Sequence, residues 1–205
     1  MPSGLDSEGW DRRYAGRELV WTAEPNRFLV AETDVLAPGR AIDLACGEGR
    51  NAVWLAQRGW QAVGVDFSQV GLQKARELAA ARDVSVEWVA ADLLQYRPDP
   101  RAFDLVLIFY LQLPAAERQP ILQAAAEAVA PGGMFLLVGH DSSNLQHGYG
   151  GPQNPAVLYT APDVVADIDG GGLQIVRADC VQRPVQTSDG ERVARDALVR
   201  ARRAD

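Results

Sequence analysis

The sequence predicts an α/β fold: a Rossmann-like, doubly wound, mostly parallel seven-stranded sheet with a C-terminal antiparallel hairpin. Short apolar runs alternate with segments of helical apolar spacing over residues 40–141, which is typical of a parallel sheet with helices on both faces. Two further strand-like segments flank a polar turn at 187–191, which indicates a hairpin that closes the sheet.

Seven strands are predicted from the apolar runs. The run FDLVLIFYLQL is continuously apolar, as expected of a central strand that is buried on both faces. The hairpin strands are instead bounded by polar residues on both sides. The predicted strands cover residues 40–45, 61–67, 84–92, 103–113, 133–141, 173–185 and 192–202.

Helices are predicted where apolar residues recur at helical spacing and an end signal is present. Ser68 and Thr160 can cap the starts of two helices, and Gly59 can end a third. A Gly/Asn/Pro-rich loop at 142–160 is longer than a connector requires. The predicted helices cover residues 50–59, 68–83, 116–130 and 160–168.

Composition excludes several classes of function. The 205 residues carry a formal net charge of −7, which argues against nucleic acid as the main partner. No segment approaches the ~20 apolar residues of a membrane span, and the N-terminus has no apolar run of signal-peptide length. Cys46 and Cys180 are too few and too distant for a disulfide framework or a zinc site. We therefore expect a reduced, cytoplasmic protein without a membrane partner or a bound metal.

The segment DLACGEG at 43–49 joins the first predicted strand to the first helix of the sheet. Its glycines allow a tight turn, and the helix that follows offers unpaired N–H groups to an anion. Asp66 ends the next strand, where a carboxylate can accept hydrogen bonds from both ribose hydroxyls. A dinucleotide enzyme shares these features, since Gly47-x-Gly49-x-x-Ala52 satisfies a relaxed GxGxxG/A pattern. At this point two cofactor classes fit.

Two further acids favour a cofactor without phosphate. Asp43 ends the first strand, where a negative charge is unfavourable beside a pyrophosphate and favourable near an ammonium group. Asp92 follows the third strand and can accept a hydrogen bond from an adenine amino group while Leu93 packs on the ring. S-adenosylmethionine carries an ammonium, a ribose diol and an adenine. The sequence therefore predicts this cofactor, with S-adenosylhomocysteine as its product.

Residues 41–141 resemble the core of class I S-adenosylmethionine-dependent methyltransferases. The resemblance is carried by the segments DLACGEGR, VGVDFS, AADLL, FDLVLIFYLQLP and PGGMFLLVG. The segment DLACGEGRNAVWLAQRG, with W…EPN upstream, is most similar to the small branch that includes tellurite-resistance and thiopurine-type methyltransferases. One departure is Asn51, which stands where many relatives have a third glycine.

The resemblance implies a role for each part of the cofactor site. Gly47 and its neighbours are expected to line the methionine portion, and Asp66 to bind the ribose. Phe109 is expected near the methyl donor, and an N-terminal aromatic residue over the methionine end. The full set of expected cofactor-binding residues is Trp21, Asp43, Ala45, Gly47, Gly49, Asp66, Phe67, Asp92, Leu93 and Phe109.

Candidate acceptor-side residues follow the fourth and fifth strands and lie on the flanking segments. His140 and Asp141 are the candidate catalytic pair, because an imidazole beside a carboxylate can act as a base near neutral pH. Local hydrogen bonding of His140 is the alternative, and a metal site of this pair with His147 fits no standard ligand spacing. The other expected substrate-side residues are Tyr14, Tyr110, Gln112, His147 and Tyr149, although Tyr14 and Trp21 also fit as packing residues.

We therefore expect one methyltransferase domain that transfers a methyl group to a small-molecule or ion acceptor by in-line displacement. Its expected parts are a lid at 1–36, a cofactor core at 40–141, an acceptor-side loop at 142–160, and a helix with the closing strand pair at 161–205. Two alternatives are open: a catalytically silent S-adenosylmethionine-binding domain, and an NAD-dependent oxidoreductase. The sequence gives no indication of oligomeric state.

Overall fold

A computed structural model describes residues 6–16 and 18–205 of the chain. The helices are α1 (Ser7–Tyr14), α2 (Arg27–Thr33), α3 (Arg50–Gln57), α4 (Gln69–Ala81), α5 (Ala115–Ala128), α6 (Asn144–His147) and α7 (Ala161–Asp167), with a 3₁₀ turn at Pro155–Val157. The strands are β1 (Arg40–Leu44), β2 (Gln61–Asp66), β3 (Glu87–Ala90), β4 (Phe103–Phe109), β5 (Val129–His140), β6 (Leu173–Thr187) and β7 (Gly190–Arg203).

The strands form one seven-stranded sheet in the order β3-β2-β1-β4-β5-β7-β6. Strands β1 to β5 pair in parallel, and β7 lies antiparallel between β5 and β6. The predicted fold is confirmed, including the antiparallel hairpin. In such a sheet the strand order reverses between β1 and β4, so the connections diverge there and open a crevice at the carboxyl ends.

Two apolar layers cover the faces of the sheet. Side chains alternate between faces along a strand, so Leu105 and Leu107 of β4 join the layer under α2 and α3. The intervening Val106 and Ile108 join the layer under α5 and α7. This alternation also places Asp43, His140 and Asp196 on the α2/α3 face. The site residues at the strand ends therefore share one side of the sheet.

The predicted helix ends agree with the contacts of the structure. The Ser68 hydroxyl accepts a hydrogen bond from the N–H of Gly71 at 3.0 Å, which caps α4. Thr160 and Asp163 form a capping box at the start of α7. Gly59, with a φ of 86°, follows the last turn of α3 in the left-handed conformation that glycine favours at this position.

Trp88 of β3 explains why β2 contains a glycine at position 64. A Cβ on Gly64 would lie 2.4 Å from the indole ring, which is closer than any real carbon contact. Since Gly64 has an ordinary strand conformation, the requirement for glycine here is one of space. The indole therefore crosses β2 and packs beneath the glycine turn that follows β1.

Several element boundaries differ from the sequence-based expectation. Strand β4 ends at Phe109 instead of 113, because Tyr110 adopts a φ of 58° and leaves the extended conformation. Strand β3 is shorter than expected, at Glu87–Ala90, and β5 begins earlier, at Val129. The loop at 142–160 contains the short helix α6 and the 3₁₀ turn.

Candidate cofactor and acceptor site

The turn between β1 and α3 bends through three left-handed residues. Ala45, Gly47 and Gly49 have φ values of 63°, 55° and 79°. A Cβ on Gly47 would lie 2.7 Å from the Tyr14 hydroxyl, and one on Gly49 would lie 2.5 Å from the Trp88 ring. Both conformation and space therefore require glycine at these two positions, and the turn presents bare backbone to its neighbours.

Asp66 is fixed at the end of β2 by backbone hydrogen bonds. Its Oδ2 accepts from the N–H of Gly47 at 2.8 Å, and its Oδ1 accepts from the N–H of Ser68 at 2.9 Å. Burial raises the pKa of Asp66, and these two hydrogen bonds offset part of that effect. Each oxygen keeps a further lone pair, so the carboxylate can still accept hydrogen bonds from a vicinal diol.

Asp43 is buried at the end of β1 without a hydrogen-bond partner of ordinary geometry among the described residues. Burial raises its pKa to about 7; the nearby Arg50 lowers the pKa, Asp66 raises it, and the Ala52 N–H lowers it slightly. An unpartnered buried carboxylate is costly unless a cation or donor satisfies it. The ammonium group of S-adenosylmethionine has the charge and the hydrogen-bond donors that this carboxylate lacks, so the site fits that cofactor.

Arg50 begins α3 and is close enough to Asp43 to lower the pKa of that carboxyl, although the two side chains form no ion pair. Its role was not predicted from the sequence. Burial lowers the pKa of the Arg50 guanidinium, while Tyr110 and Asp43 act in the opposite direction. A guanidinium and a carboxylate at the same turn are complementary to the two charged groups of an amino acid. The pair therefore matches both the carboxylate and the ammonium of a methionine moiety.

The remaining expected cofactor residues lie around this turn and the end of β3. Asp92 accepts from the N–H of Leu94 at 2.9 Å through one oxygen, which makes it a turn residue whose other oxygen is still available. Leu93 is buried in the layer under α5 and α7, and Phe109 is buried in the opposite layer. Phe67, next to Asp66, is half-buried.

The N-terminal segment is attached to the glycine turn through Glu48, which is 3% exposed. Its two oxygens accept from the N–H groups of Val20 and Trp21, each at 3.1 Å, and its Oε1 also accepts from Lys74 Nζ at 3.1 Å. Tyr14 is buried over Gly47, and burial, with Asp66 nearby, raises its pKa. Trp21 is exposed. The role of Glu48 could not be predicted from the sequence, because its partners are distant along the chain and are brought to it only by the fold.

Asn51, the departure from the usual glycine pattern, has a structural partner upstream. Its Oδ1 accepts from the backbone N–H of Asn26 at 2.9 Å, and both side chains are buried. Asn26 in turn caps α2 by accepting from the N–H of Phe28. The Asn51 side chain therefore holds the start of α2 against α3. A glycine at position 51 would have no side chain to make this contact.

On the acceptor side, a buried cluster forms around Asp196 of β7, which is fully buried. Asp196 accepts from the Tyr110 hydroxyl at 2.9 Å and from Arg183 Nε at 2.6 Å. His140 Nδ1 lies 3.4 Å from Asp196 Oδ1, and the His140 and Tyr110 rings are 4.8 Å apart. Burial alone would raise the pKa of Asp196, but its contacts with His140, Arg183 and Tyr110 hold that pKa below the usual value.

The carboxylate that faces His140 is therefore Asp196, not the adjacent Asp141. Asp141 Oδ1 accepts from the N–H of Ser143 at 2.9 Å, so the side chain is directed toward the loop that follows β5. The prediction that Asp141 is the carboxylate beside His140 was therefore wrong. Adjacent residues of an extended chain point to opposite faces of the sheet, so their side chains diverge. Whether Asp141 has a catalytic role stays a prediction.

The other expected substrate-side residues are not all brought together. His147 and Tyr149 are exposed on the loop, so the structure does not place them in the cluster around Asp196. Both amide atoms of Gln112 are buried and have no hydrogen-bond partner among the described residues. A free buried amide at the end of β4 is available to a ligand. No group of three or more metal-ligating side chains occurs within residues 6–16 and 18–205.

Comparison with solved structures supports the fold. The N-methyltransferase NodS from Bradyrhizobium japonicum, solved with S-adenosylhomocysteine, superposes with a TM-score of 0.73 at 18% identity, covering 97% of this chain and 98% of that one. The chain therefore has the Rossmann-like fold of methyltransferases. No helix in the described part of the chain is long and apolar enough to cross a membrane.

Comparison with a family model and with curated proteins identifies similar sequences. Residues 41–133 match the family model for a methyltransferase domain. A ubiquinone biosynthesis O-methyltransferase from Idiomarina loihiensis is 31% identical over 139 residues, covering 66% of this chain and 56% of that protein. A thiocyanate methyltransferase from Brassica oleracea is 24% identical over 180 residues, covering 82% and 76%. These matches support a class I S-adenosylmethionine-dependent methyltransferase. The chain spans about half the length of several curated relatives that it matches.

Proposed function

We propose that this protein is an S-adenosylmethionine-dependent methyltransferase that acts on a small-molecule or ion acceptor. The observation that carries the proposal is the buried Asp43 carboxylate, which has no partner of ordinary geometry within residues 6–16 and 18–205 and lies beside the glycine turn. A pyrophosphate at this turn would be repelled by Asp43, whereas an ammonium would be attracted. This argues against the oxidoreductase alternative.

In this proposal each part of the cofactor has a partner on a different strand end. Asp43 and Arg50 hold the charged groups of the methionine moiety, and Asp66 holds the ribose diol. The free oxygen of Asp92 accepts from the adenine amino group beside Leu93. The cofactor supplies an electrophilic methyl group on a cationic sulfur, and the protein orients it toward the acceptor side of β4.

We also propose that the N-terminal segment 1–36, of which residues 6–16 and 18–36 are described by the structure, acts as a lid and that the loop at 142–160 selects the acceptor. Tyr14 and the attachment of residues 20 and 21 to Glu48 support the lid, because both place the N-terminal segment directly on the glycine turn. The proposed branch, which includes tellurite-resistance and thiopurine-type enzymes, is supported by W…EPN and by the contact between Asn51 and Asn26.

Calorimetry with S-adenosylhomocysteine and NADH tests the cofactor directly. We expect saturable binding of S-adenosylhomocysteine and none of NADH. Asp66→Asn should weaken that binding about ten- to a hundredfold, since hydrogen bonds to a charged group are worth about 1.5–3 kcal/mol. Asp179→Asn, an exposed carboxylate on β6, is the matched control and should bind like the wild type. Failure of the wild-type protein to bind S-adenosylhomocysteine would overturn the proposal.

An acceptor screen with labelled S-adenosylmethionine distinguishes an enzyme from a silent binding domain. The panel should contain thiols, halides, chalcogen oxyanions, phenols and amines. Transfer of label to any member supports the enzyme. Tight cofactor binding without transfer to any class would favour the silent domain instead.

A further inference from the structure

His140 and Asp196 face each other across the ends of β5 and β7. We propose that His140 Nε2 accepts the proton of an acceptor hydroxyl, that Asp196 is its positioning residue, and that the acceptors are therefore hydroxylated compounds of the phenol type. The inference rests on the proposed methyltransferase function and narrows its substrate class. Halides and thiolates carry no proton that must be removed before methyl transfer, so they would need no such base, whereas a hydroxyl would.

The pairing follows from the sheet register. His140 and Asp196 are directly opposite in the antiparallel ladder between β5 and β7, where side chains on one face are neighbours. Both side chains point to the α2/α3 face, which is also the face of Asp43 at the end of β1. The pair therefore lies at the same end and on the same side of the sheet as the proposed cofactor site.

Two neighbours pack close to the imidazole ring. The centroid of the Tyr110 ring lies 4.8 Å from that of His140, and a Cβ on Gly151 of the loop would lie 3.0 Å from His140 Nδ1. His140 Nδ1 is buried 3.4 Å from Asp196 Oδ1 without a hydrogen bond of ordinary geometry to any described residue, so Asp196 is its nearest charged neighbour, and Nε2 is the ring nitrogen that remains for a ligand. The side chain keeps 15% of its exposure. The ring can thus offer Nε2 to a ligand without changing its orientation.

The surrounding charges favour a proton on Nδ1. Asp196 stays ionised because Arg183 and Tyr110 donate to it, and Arg50 adds positive charge near Tyr110. Asp141 is the next residue along β5, but its carboxylate is engaged by the N–H of Ser143. An ionised carboxylate beside Nδ1 stabilises the tautomer with its proton there, which leaves a lone pair on Nε2.

The reaction then balances without another reactant. The acceptor oxygen forms a bond to the methyl carbon, and the carbon–sulfur bond breaks with its electron pair going to sulfur. The hydroxyl proton passes to Nε2. The products are a methyl ether, S-adenosylhomocysteine and an imidazolium ion paired with Asp196, which releases its proton to solvent.

The tautomer of His140 can be read without cofactor or acceptor. The chain has two histidines, so imidazole ¹⁵N spectra of the wild type and of His147→Gln identify the His140 signals. We expect neutral His140 to carry its proton on Nδ1, and Asp196→Asn to shift it toward Nε2. Asp179→Asn should leave the signals unchanged. Wild-type His140 protonated on Nε2 would overturn the positioning role, even if Asp196→Asn failed to fold.

Activity is tested with labelled S-adenosylmethionine and two probes, phenol and the more acidic 4-nitrophenol. His140→Gln should lower kcat for phenol about 10²- to 10⁴-fold and that for 4-nitrophenol much less, with little change in KM. Asp196→Asn should follow the same pattern. Equal losses with both probes, or no transfer to either despite S-adenosylhomocysteine binding, would overturn the proposal. Absent S-adenosylhomocysteine binding would instead overturn the proposed function.

Discussion

At the scale of single residues, the buried carboxylate of Asp43 links the fold to the proposed cofactor. Its side chain lies on the α2/α3 face where β1 ends, and in the part of the chain that the structure describes it has no hydrogen bond of ordinary geometry. Folding has to remove this group from water, which raises its pKa to about 7. The free energy that this burial costs becomes available to a ligand that supplies a cation.

Proton release should accompany cofactor binding at Asp43. With a pKa of about 7, the carboxylate is about half protonated at pH 7, and an ammonium beside it favours the ionised form. Binding of S-adenosylhomocysteine at pH 7 should therefore release about half a proton. Calorimetry in two buffers with different ionisation enthalpies measures this number.

The matched variant for this measurement is Asp43→Asn, which keeps the shape of the side chain but cannot titrate. It should bind more weakly and release fewer protons than the wild type, whereas Asp179→Asn should behave like the wild type. Equal proton release by wild type and Asp43→Asn would assign the proton to another group.

At the scale of elements, the N-terminal segment is held to the sheet by few but specific contacts. Lys74, the only lysine of the chain, donates to the carbonyl of Glu18 at 2.6 Å and to Glu48 at 3.1 Å. Its side chain is 13% exposed. Glu48 belongs to the glycine turn, so the same carboxylate holds both the turn and the segment that covers it.

Glu48→Gln should loosen this segment. An amide cannot pair with the Lys74 ammonium as a carboxylate does, so Lys74 should become more accessible. We expect acylation of Lys74 by an amine-reactive ester to be several-fold faster than in the wild type, as measured by mass spectrometry of the labelled peptide. Glu191→Gln, on the exposed β6–β7 hairpin, is the control and should not change the rate. An unchanged rate in Glu48→Gln would show that the segment is held by other contacts.

The elements also show which parts of the site a sequence can predict. Asp43, Asp66 and Asp92 each follow an apolar run, and parallel strands end at the same edge, so strand order alone brings them together. The tight turn between β6 and β7 fixes the pairing within that hairpin, which places Arg183 diagonally across from Asp196.

The partner of His140 could not be predicted in this way. The register of β7 on β5 depends on a connection that includes the loop at 142–160 and α7 and β6, and no local turn fixes it. Without that register, Asp141 is the carboxylate nearest to His140 in sequence, and Asp196 is one of the two acids of β7, the other being Glu191. The end of β4 at Phe109 was missed for a related reason, since nothing in an apolar run signals the left-handed conformation of Tyr110.

At the scale of the whole molecule, the topology brings together, at one edge of the sheet, carboxylates whose pKa values are shifted in opposite directions. Asp43 and Asp66 have raised pKa values because they are buried, whereas Asp196 has a lowered pKa because three groups surround it. These groups affect stability in opposite directions. Asp196 stabilises the folded state above the pKa of an unfolded aspartate and loses this effect as the pH falls. The two raised acids stabilise it at low pH and lose the effect as the pH rises.

Comparing the wild type with Asp43→Asn isolates one of these contributions. The pKa of Asp43 rises from 3.8 to about 7 on folding, so its contribution to stability is fully present below pH 3.8 and is lost as the pH rises through 7. The free energy of unfolding of Asp43→Asn should therefore increase relative to that of the wild type between pH 4 and 8, by at most about 4 kcal/mol. Urea unfolding without cofactor measures this difference, in which the contribution of Asp196 cancels and the interaction of Asp43 with Asp66 is included. S-adenosylhomocysteine should stabilise the wild type more at pH 8 than at pH 5, because the ionised carboxylate then meets its ammonium. Parallel pH profiles for the two proteins would mean that Asp43 is already satisfied in the folded state, and would remove the main physical support for the proposed cofactor site.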